Sequence, residues 1–209
     1  MKKLVLFVLI GCIMNLNAKS LEPIKLPEPT FTGGSSLMES FQNRRSDREY
    51  SSKDLSMGDI SNLLWAACGI NRPDGKRTSP TARNRQEIDV YLINKDGAYL
   101  YVPAENLLQP VYSGDLRSSV AGGQDFVNAA PISLVIVGDI EKLGGDNDRN
   151  MKLLWADGGI VSQNINMFCA GYNLATVTRA MMDIDALRKA LKLTDSQHLL
   201  LNNPVGYKK

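Results

Sequence analysis

The sequence predicts an α+β fold, and three observations carry that prediction. Two helix-start signatures, Ser36 with Glu39 and Ser56 with Asp59, mark capped helices. "EIDVYLI" (Glu87–Ile93), the turn "NKDG" and "AYLYV" read as an antiparallel hairpin. Helical and strand patterns then interleave through the rest of the chain, with that hairpin arguing against a doubly wound parallel sheet.

Taken in order, the Ser36 helix runs to about Asn43. The Ser56 helix buries Leu63, Leu64 and Ala67 and stops at Gly69. A polar loop, "NRPDGKRTSPTARNR", leads into the hairpin, and residues 104–128 read as broken helices. "ISLVIVG" (Ile132–Gly138) is a continuous apolar run, hence a central strand. A long helix fits Arg149–Gly171, followed by a strand at "LATVT", a helix at Asp183–Leu191 and a last strand at "HLLLNN". There is no internal repeat.

The 209 residues suggest one domain, and 44% hydrophobic with 22% charged residues is enough for a sizeable core. The formal charge of +2 comes from Lys2 and Lys3. The remaining balance gives no reason to expect nucleic acid or an anionic membrane as partner.

Residues 1–18 have the pattern of a secretory signal: Lys2-Lys3, an apolar run from Leu4 to Met14, and small Ala18 as a cleavage site. The run is too short to span a bilayer. "LIGC" (Leu9–Cys12) offers a second processing site, with Cys12 lipidated; a hydrophobic arm on a cytosolic protein is the plain alternative. Residues 19–35, with Pro23, Pro27, Pro29, Gly33 and Gly34, read as an extended leader onto a domain at 36–209. Export would place the mature protein outside the cytoplasm, in the periplasm. Cys68 and Cys169 lie in apolar helical patterns, as buried free thiols do, and two cysteines make no disulfide framework.

Several chemistries are excluded. The one histidine, His198, heads an apolar strand, so a His-based triad or multi-histidine zinc site is absent. Neither GxGxxG after a strand nor GxxxxGK[ST] occurs. "DNDRN" from Asp146 has oxygen ligands at calcium-like spacing but lacks the glycine at the sixth position, so it reads as a helix-capping turn. The chain points away from hydrolases and towards a protein whose chemistry comes from a cofactor.

Three stretches suggest where. "NRRSDREY" places Arg44, Arg45 and Arg48 around Ser46, which suits a solvated helix end or an anion. "SPTARNRQ" brings Thr81, Asn84 and Gln86, whose amides and hydroxyl suit the edge of a polar heterocycle or an ordinary turn. "WADGGIVSQNINMFCAG" puts Gly158 and Gly159 inside a helix, where each costs about 1 kcal/mol relative to alanine. Close approach of a backbone, of a flat ligand or of another helix would explain them.

Together these stretches resemble the flavin-dependent nitroreductase family. Arg44–Ser46 with Arg48 is similar to its N-terminal phosphate motif, and Pro80–Gln86 to its P-S-S/A-x-N-x-Q loop. "DGGIVSQNINMFCAGYNLATV" resembles its central helix, with Asp157, Gly159, Gln163, Asn164 and Ala170 in register, and "NPVGYKK" its closing strand. The resemblance covers residues 36–209. It implies a nitroreductase-like fold, a mixed or antiparallel sheet flanked by helices, and a homodimer with FMN at the subunit interface. Arg44, Arg45 and Ser46 would hold the phosphate and ribityl chain, and Arg48 the N1/C2 edge of the ring. Pro80, Thr81, Ala82 and Asn84 would line the ring and ribityl chain, with Asn84 and Gln86 offering amide hydrogen bonds. Gly158 and Gly159 would meet another ring edge through backbone amides, and Lys208 or Lys209 would close over the phosphate.

The implied activity is ping-pong electron transfer between a donor and a small-molecule acceptor such as a nitro compound or quinone. No side chain is nominated as catalytic and no metal is implied. Oxidation of a substrate, as by azoline oxidases, a non-catalytic flavin carrier, and a structural domain without cofactor are the alternatives. The chain departs from the family at Glu87-Ile88, where P-W is usual, and at Asn173 and Ala175, where glycines are usual. Asn173 tolerates positive φ and can still close the helix.

Overall fold

The computed structural model describes residues 21–209, so the signal pattern at 1–18 and Cys12 lie outside the described residues. Seven strands form one sheet: β1 (Ile24–Lys25), β2 (Ile88–Ile93), β3 (Gly97–Val102), β4 (Leu107–Ser113), β5 (Ile132–Asp139), β6 (Leu174–Thr176) and β7 (Gln197–Tyr207). Their spatial order is β1-β4-β3-β2-β5-β7-β6, and every pairing is antiparallel.

Helices cover both faces, which is why the inner strands read as continuous apolar runs. On one face α2 (Met57–Cys68) and α4 (Asp148–Gly171) pack Leu63, Leu64, Leu154, Val161 and Ile165 against Ile88, Leu134 and Ile136. On the other, α3 (Arg117–Ala121) and α5 (Ile184–Ala190) pack Val120 and Leu187 against Tyr91, Val135 and Val137. β5 alternates between the two cores and is buried along nearly its whole length. Each fully buried Leu or Ile there contributes about 1.5–3 kcal/mol.

The helix ends follow the sequence. Ser36 closes a reciprocal capping box with Glu39 at the start of α1 (Leu37–Asn43). Ser56 accepts from the Asp59 amide at α2, and Asn147 from the Asn150 amide at α4, so the calcium-like stretch is a cap. Gly69 does end α2, but with φ −70°, so left-handed freedom is not the reason. A Cβ there would fall 2.5 Å from the Trp65 ring; the glycine answers a close approach. Asn173 has φ 55° just past α4, as an asparagine at that position allows. "NKDG" closes the β2–β3 hairpin with Asn94 Oδ1 accepting from the amides of Asp96 and Gly97. Cys68 and Cys169 are free and buried. His198 lies in β7 opposite Gly138.

Residues 104–128 differ from expectation. Leu107–Ser113 is a strand, and only Arg117–Ala121 and the 3-10 turn Asp125–Ala129 are helical. Pro110 argues against a strand on sequence alone. It is tolerated because the β3–β4 register shifts beside its partner Tyr99, at an irregularity in the ladder.

The leader is built into the fold. Ile24 and Lys25 pair with Leu108 and Leu107, Leu26 is buried, and the Pro27 carbonyl accepts from the Ser61 hydroxyl at 2.6 Å. The Ser35 amide then donates to the Gly171 carbonyl at the end of α4.

Candidate functional site

The arginine stretch follows directly from α1, with Arg44 as its C-cap. From there the backbone is tied to the sheet edge: the Asp47 amide donates to the Thr176 carbonyl and the Ser51 amide to the Tyr207 carbonyl. Tyr50 bridges to Lys208. The far end of β7 thus brings Lys208 against a segment some 160 positions earlier in the chain.

Two adjoining cavities result, sharing Arg45 and Lys208. One, of about 340 Å³, is lined by Arg45, Ser46, Asp47, Arg48, Glu49, Lys208 and Lys209. The other, of about 480 Å³, is lined by Arg44 and Arg45 with Gln42, Asn43, Ala170 and Asn173 among its neighbours. Asp47 offsets part of the charge, pairing with Arg45 at 2.8 Å and Lys208 at 3.4 Å. Arg48 lies 5.8 Å from the Phe126 ring centre. Among the described residues Arg44 and Ser46 have no side-chain partner. A cation at the end of α1 would complement the helix dipole by about 0.3–1 kcal/mol. That accounts for Arg44 but not for five cations converging on one groove.

The second group lies elsewhere. Pro80 and Asn84 are exposed, Thr81, Ala82 and Gln86 half-buried. Arg83, Asn84 and Gln86 all have positive φ, 55°, 52° and 51°. Outside glycine that backbone region is sparsely populated and persists only where the surroundings impose it. Here the Ala82 amide donates to Asp157 Oδ2 at 2.8 Å, and the Gln86 amide to Thr81 Oγ1 at 2.9 Å. The Gln86 side-chain amide donates to the Gly75 carbonyl at 3.0 Å. Asp157 therefore anchors the loop to the middle of α4.

Gly158 and Gly159 differ. A Cβ on Gly158 would lie 2.7 Å from Leu200 Cδ1, so this glycine lets α4 sit close on β7. Gly159 faces open space and is free to accept a neighbour.

Within one chain, then, Arg44, Arg45, Ser46, Arg48 and Lys208 come together at the end of α4. The Pro80–Gln86 loop is tied to its middle through the Ala82 amide on Asp157, with Gly158 and Gly159 next along the helix. Asp157 and Ala170 are about 20 Å apart along the helix, at about 1.5 Å per residue. No cavity described above joins the two groups.

The family model described as "Nitroreductase family" matches residues 41–207. The chain belongs to the nitroreductase family. Among solved structures, this nitroreductase-family chain is similar to one from Ralstonia eutropha described as a nitroreductase, at 33% identity and TM-score 0.83, with 90% of each chain covered. A protein of Methanocaldococcus jannaschii that carries the name nitroreductase is 27% identical over 95% of this chain and 98% of its own length. The fold extends to a chain of the Escherichia coli microcin synthetase complex, at 20% identity and TM-score 0.69 over 100% of this chain and 85% of that one. The nitroreductase-like α+β fold and an oxidoreductase of this type follow from these matches.

One residue escaped the sequence. Glu87, noted only as a departure from P-W, is 0% exposed at the foot of the loop, and neither of its carboxyl oxygens meets a hydrogen-bond donor among the described residues. Burial, and then the neighbouring Asp157 carboxyl, push its acid up to about 7. The only sequence signal was an acid where a strand begins.

Proposed function

We propose that this nitroreductase-family protein is an FMN-dependent homodimeric oxidoreductase passing electrons between a donor and a small organic acceptor, a nitro compound or quinone. The carrying observation is the groove on which Arg44, Arg45, Ser46, Arg48 and Lys208 converge from two distant segments. Its donors fit a phosphate-ended cofactor. They are cationic, they flank a hydroxyl, and the Arg44 guanidinium has no competing partner among the described residues. Arg44, Arg45, Ser46 and Lys208 would hold the phosphate and ribityl chain, with Arg48 as the cation towards the ring. When bound, FMN supplies reversible two-electron transfer, while the chain supplies orientation and positive charge.

The loop at Pro80–Gln86 lies too far along α4 to face the same groove in one chain. A second copy would bring its loop there and complete the site. The outer faces of α1 and α4 support such a partner: Leu37, Met38 and Phe41 are 67%, 75% and 54% exposed, with Trp155 and Ile160 also open. Sedimentation followed at flavin absorbance tests both parts. The expected species is a dimer carrying about one FMN per chain. Protein that takes up no FMN at micromolar concentrations defeats the cofactor reading, and a flavin-loaded monomer defeats the dimer.

Residues 1–18 further support export, and with it a donor other than a nicotinamide nucleotide. Among the described residues no helix is long and apolar enough to cross a membrane. Fractionation with N-terminal sequencing checks the location: a mature start near Lys19 is expected, whereas an intact Met1 in cytosol overturns it.

A further inference from the structure

We propose that Glu87 and Asp157 are a positioning pair for the Thr81–Gln86 loop: two buried carboxyls that share one proton and through it hold the strained loop against the central helix. The functional part of this rests on reading that loop as the flavin-side loop; the pair itself does not.

Asp157 Oδ2 already accepts from the Ala82 amide at 2.8 Å. Glu87 is fully buried with neither oxygen hydrogen-bonded, and the buried carboxyl of Asp157 is its neighbour at the foot of the loop. Two carboxylates can only accept, so the two can hydrogen-bond only if one acid carries a proton. Asp157 is the better acceptor, because a backbone N–H supports its negative charge. The proton therefore sits on Glu87, which donates to Asp157.

The other charges along this edge make their hydrogen bonds to other groups, and the buried Nε of Arg77 makes none. Lys142 reaches the Gln86 carbonyl at 3.5 Å and Asp89 at 3.7 Å. Arg77 donates to the Ile88 carbonyl, and the Asp139 carboxylate accepts from the Glu141 amide. The opposing influences on Glu87 are weaker: its own backbone amide and then the Thr81 hydroxyl favour its charge, yet neither makes a hydrogen bond to its oxygens. The latch thus spans from β2 through Glu87 and Asp157 to Ala82, where the left-handed residues begin.

The linkage has a definite sign. The ordinary value for Glu87 is 4.5, and the fold raises it to about 7. The folded state therefore binds the extra proton. Below the ordinary value both states are protonated and there is no penalty. Between the two values the folding equilibrium weakens by about tenfold per pH unit, and above about 7 the loss is complete.

The test compares wild type with Glu87→Gln, whose amide imitates the neutral acid, and Asp157→Asn, which offers Glu87 a donor. Infrared difference spectra at pH 6, without flavin, should show a protonated-carboxyl C=O stretch in wild type. It should vanish in Glu87→Gln and move to lower pH in Asp157→Asn. Relative to Glu87→Gln, wild-type folding should weaken by about tenfold per pH unit between its two pKa values. FMN affinity should fall above neutrality in wild type and lose that dependence in Glu87→Gln. A missing band in wild type, or the same pH slope in both proteins, overturns the proposal. An intact band with no FMN uptake by any of the three upholds the pair and overturns the flavin reading instead.

Discussion

An Arg179→Ala chain should lose about 3–5 kcal/mol of folding stability, among the largest single-residue effects expected here. Arg179 is 7% exposed, and its guanidinium serves four acceptors: Gln124 Oε1 at 2.8 Å, Asn202 Oδ1 at 2.7 Å, and the Val120 and Ala121 carbonyls at 3.1 and 2.7 Å. The last two belong to the end of α3, whose terminal carbonyls have no intrahelical partner. Truncation would strand the buried Val120 carbonyl of α3 and the buried Asn202 Oδ1 of β7, while the Ala121 carbonyl would keep only the Gln124 amide. Lysine should rescue little, since a single ammonium cannot reproduce the planar fork. Arg45→Ala makes the contrast: its exposed ion pair with Asp47 is worth at most about 1 kcal/mol. Urea denaturation measures both, and a loss below about 1 kcal/mol for Arg179→Ala would show that water or rearrangement replaces the fork.

Arg44→Ala should leave the fold nearly intact while weakening FMN binding by about 10- to 150-fold. One charge-assisted hydrogen bond to phosphate is worth about 1.5–3 kcal/mol, and about 1.4 kcal/mol is tenfold. The stability change should stay within the helix-end contribution of about 0.3–1 kcal/mol, because Arg44 pairs with nothing else among the described residues. Fluorescence titration with FMN beside a denaturation curve separates the two roles. Unchanged affinity would reduce the cluster to a solvated helix end.

What could be read from the sequence divides by the range of the signal. Caps at Ser36 and Ser56, the Asn94 turn and the β5 run each rest on contiguous residues, and the structure keeps them all. β4 escaped because Pro110 is a breaker unless the ladder is already irregular, and that irregularity involves another strand. The basic groove was half legible. Arg44–Arg48 is a local cluster, whereas Lys208 joined it through family resemblance, and only the β7 pairing explains its arrival. Gly158 and Gly159 look alike in sequence, yet one meets Leu200 and the other meets nothing. Glu87 and Asp157 are 70 positions apart, and no local pattern links one buried acid to another.

The short β1 strand has a consequence for how the protein behaves in a crowd. A bare sheet edge is a template for other chains, and this sheet would otherwise begin with β4. Ile24 and Lys25 occupy its Leu107–Leu108 end, and Pro110 withholds an amide further along. At the opposite edge β6 spans three residues, and the Asp47 amide already occupies its Thr176 carbonyl. Trimming the leader at residue 36 would therefore do more than remove a tether. It would uncover backbone beside an apolar interior and turn a self-contained sheet into a seed for strand-on-strand aggregation.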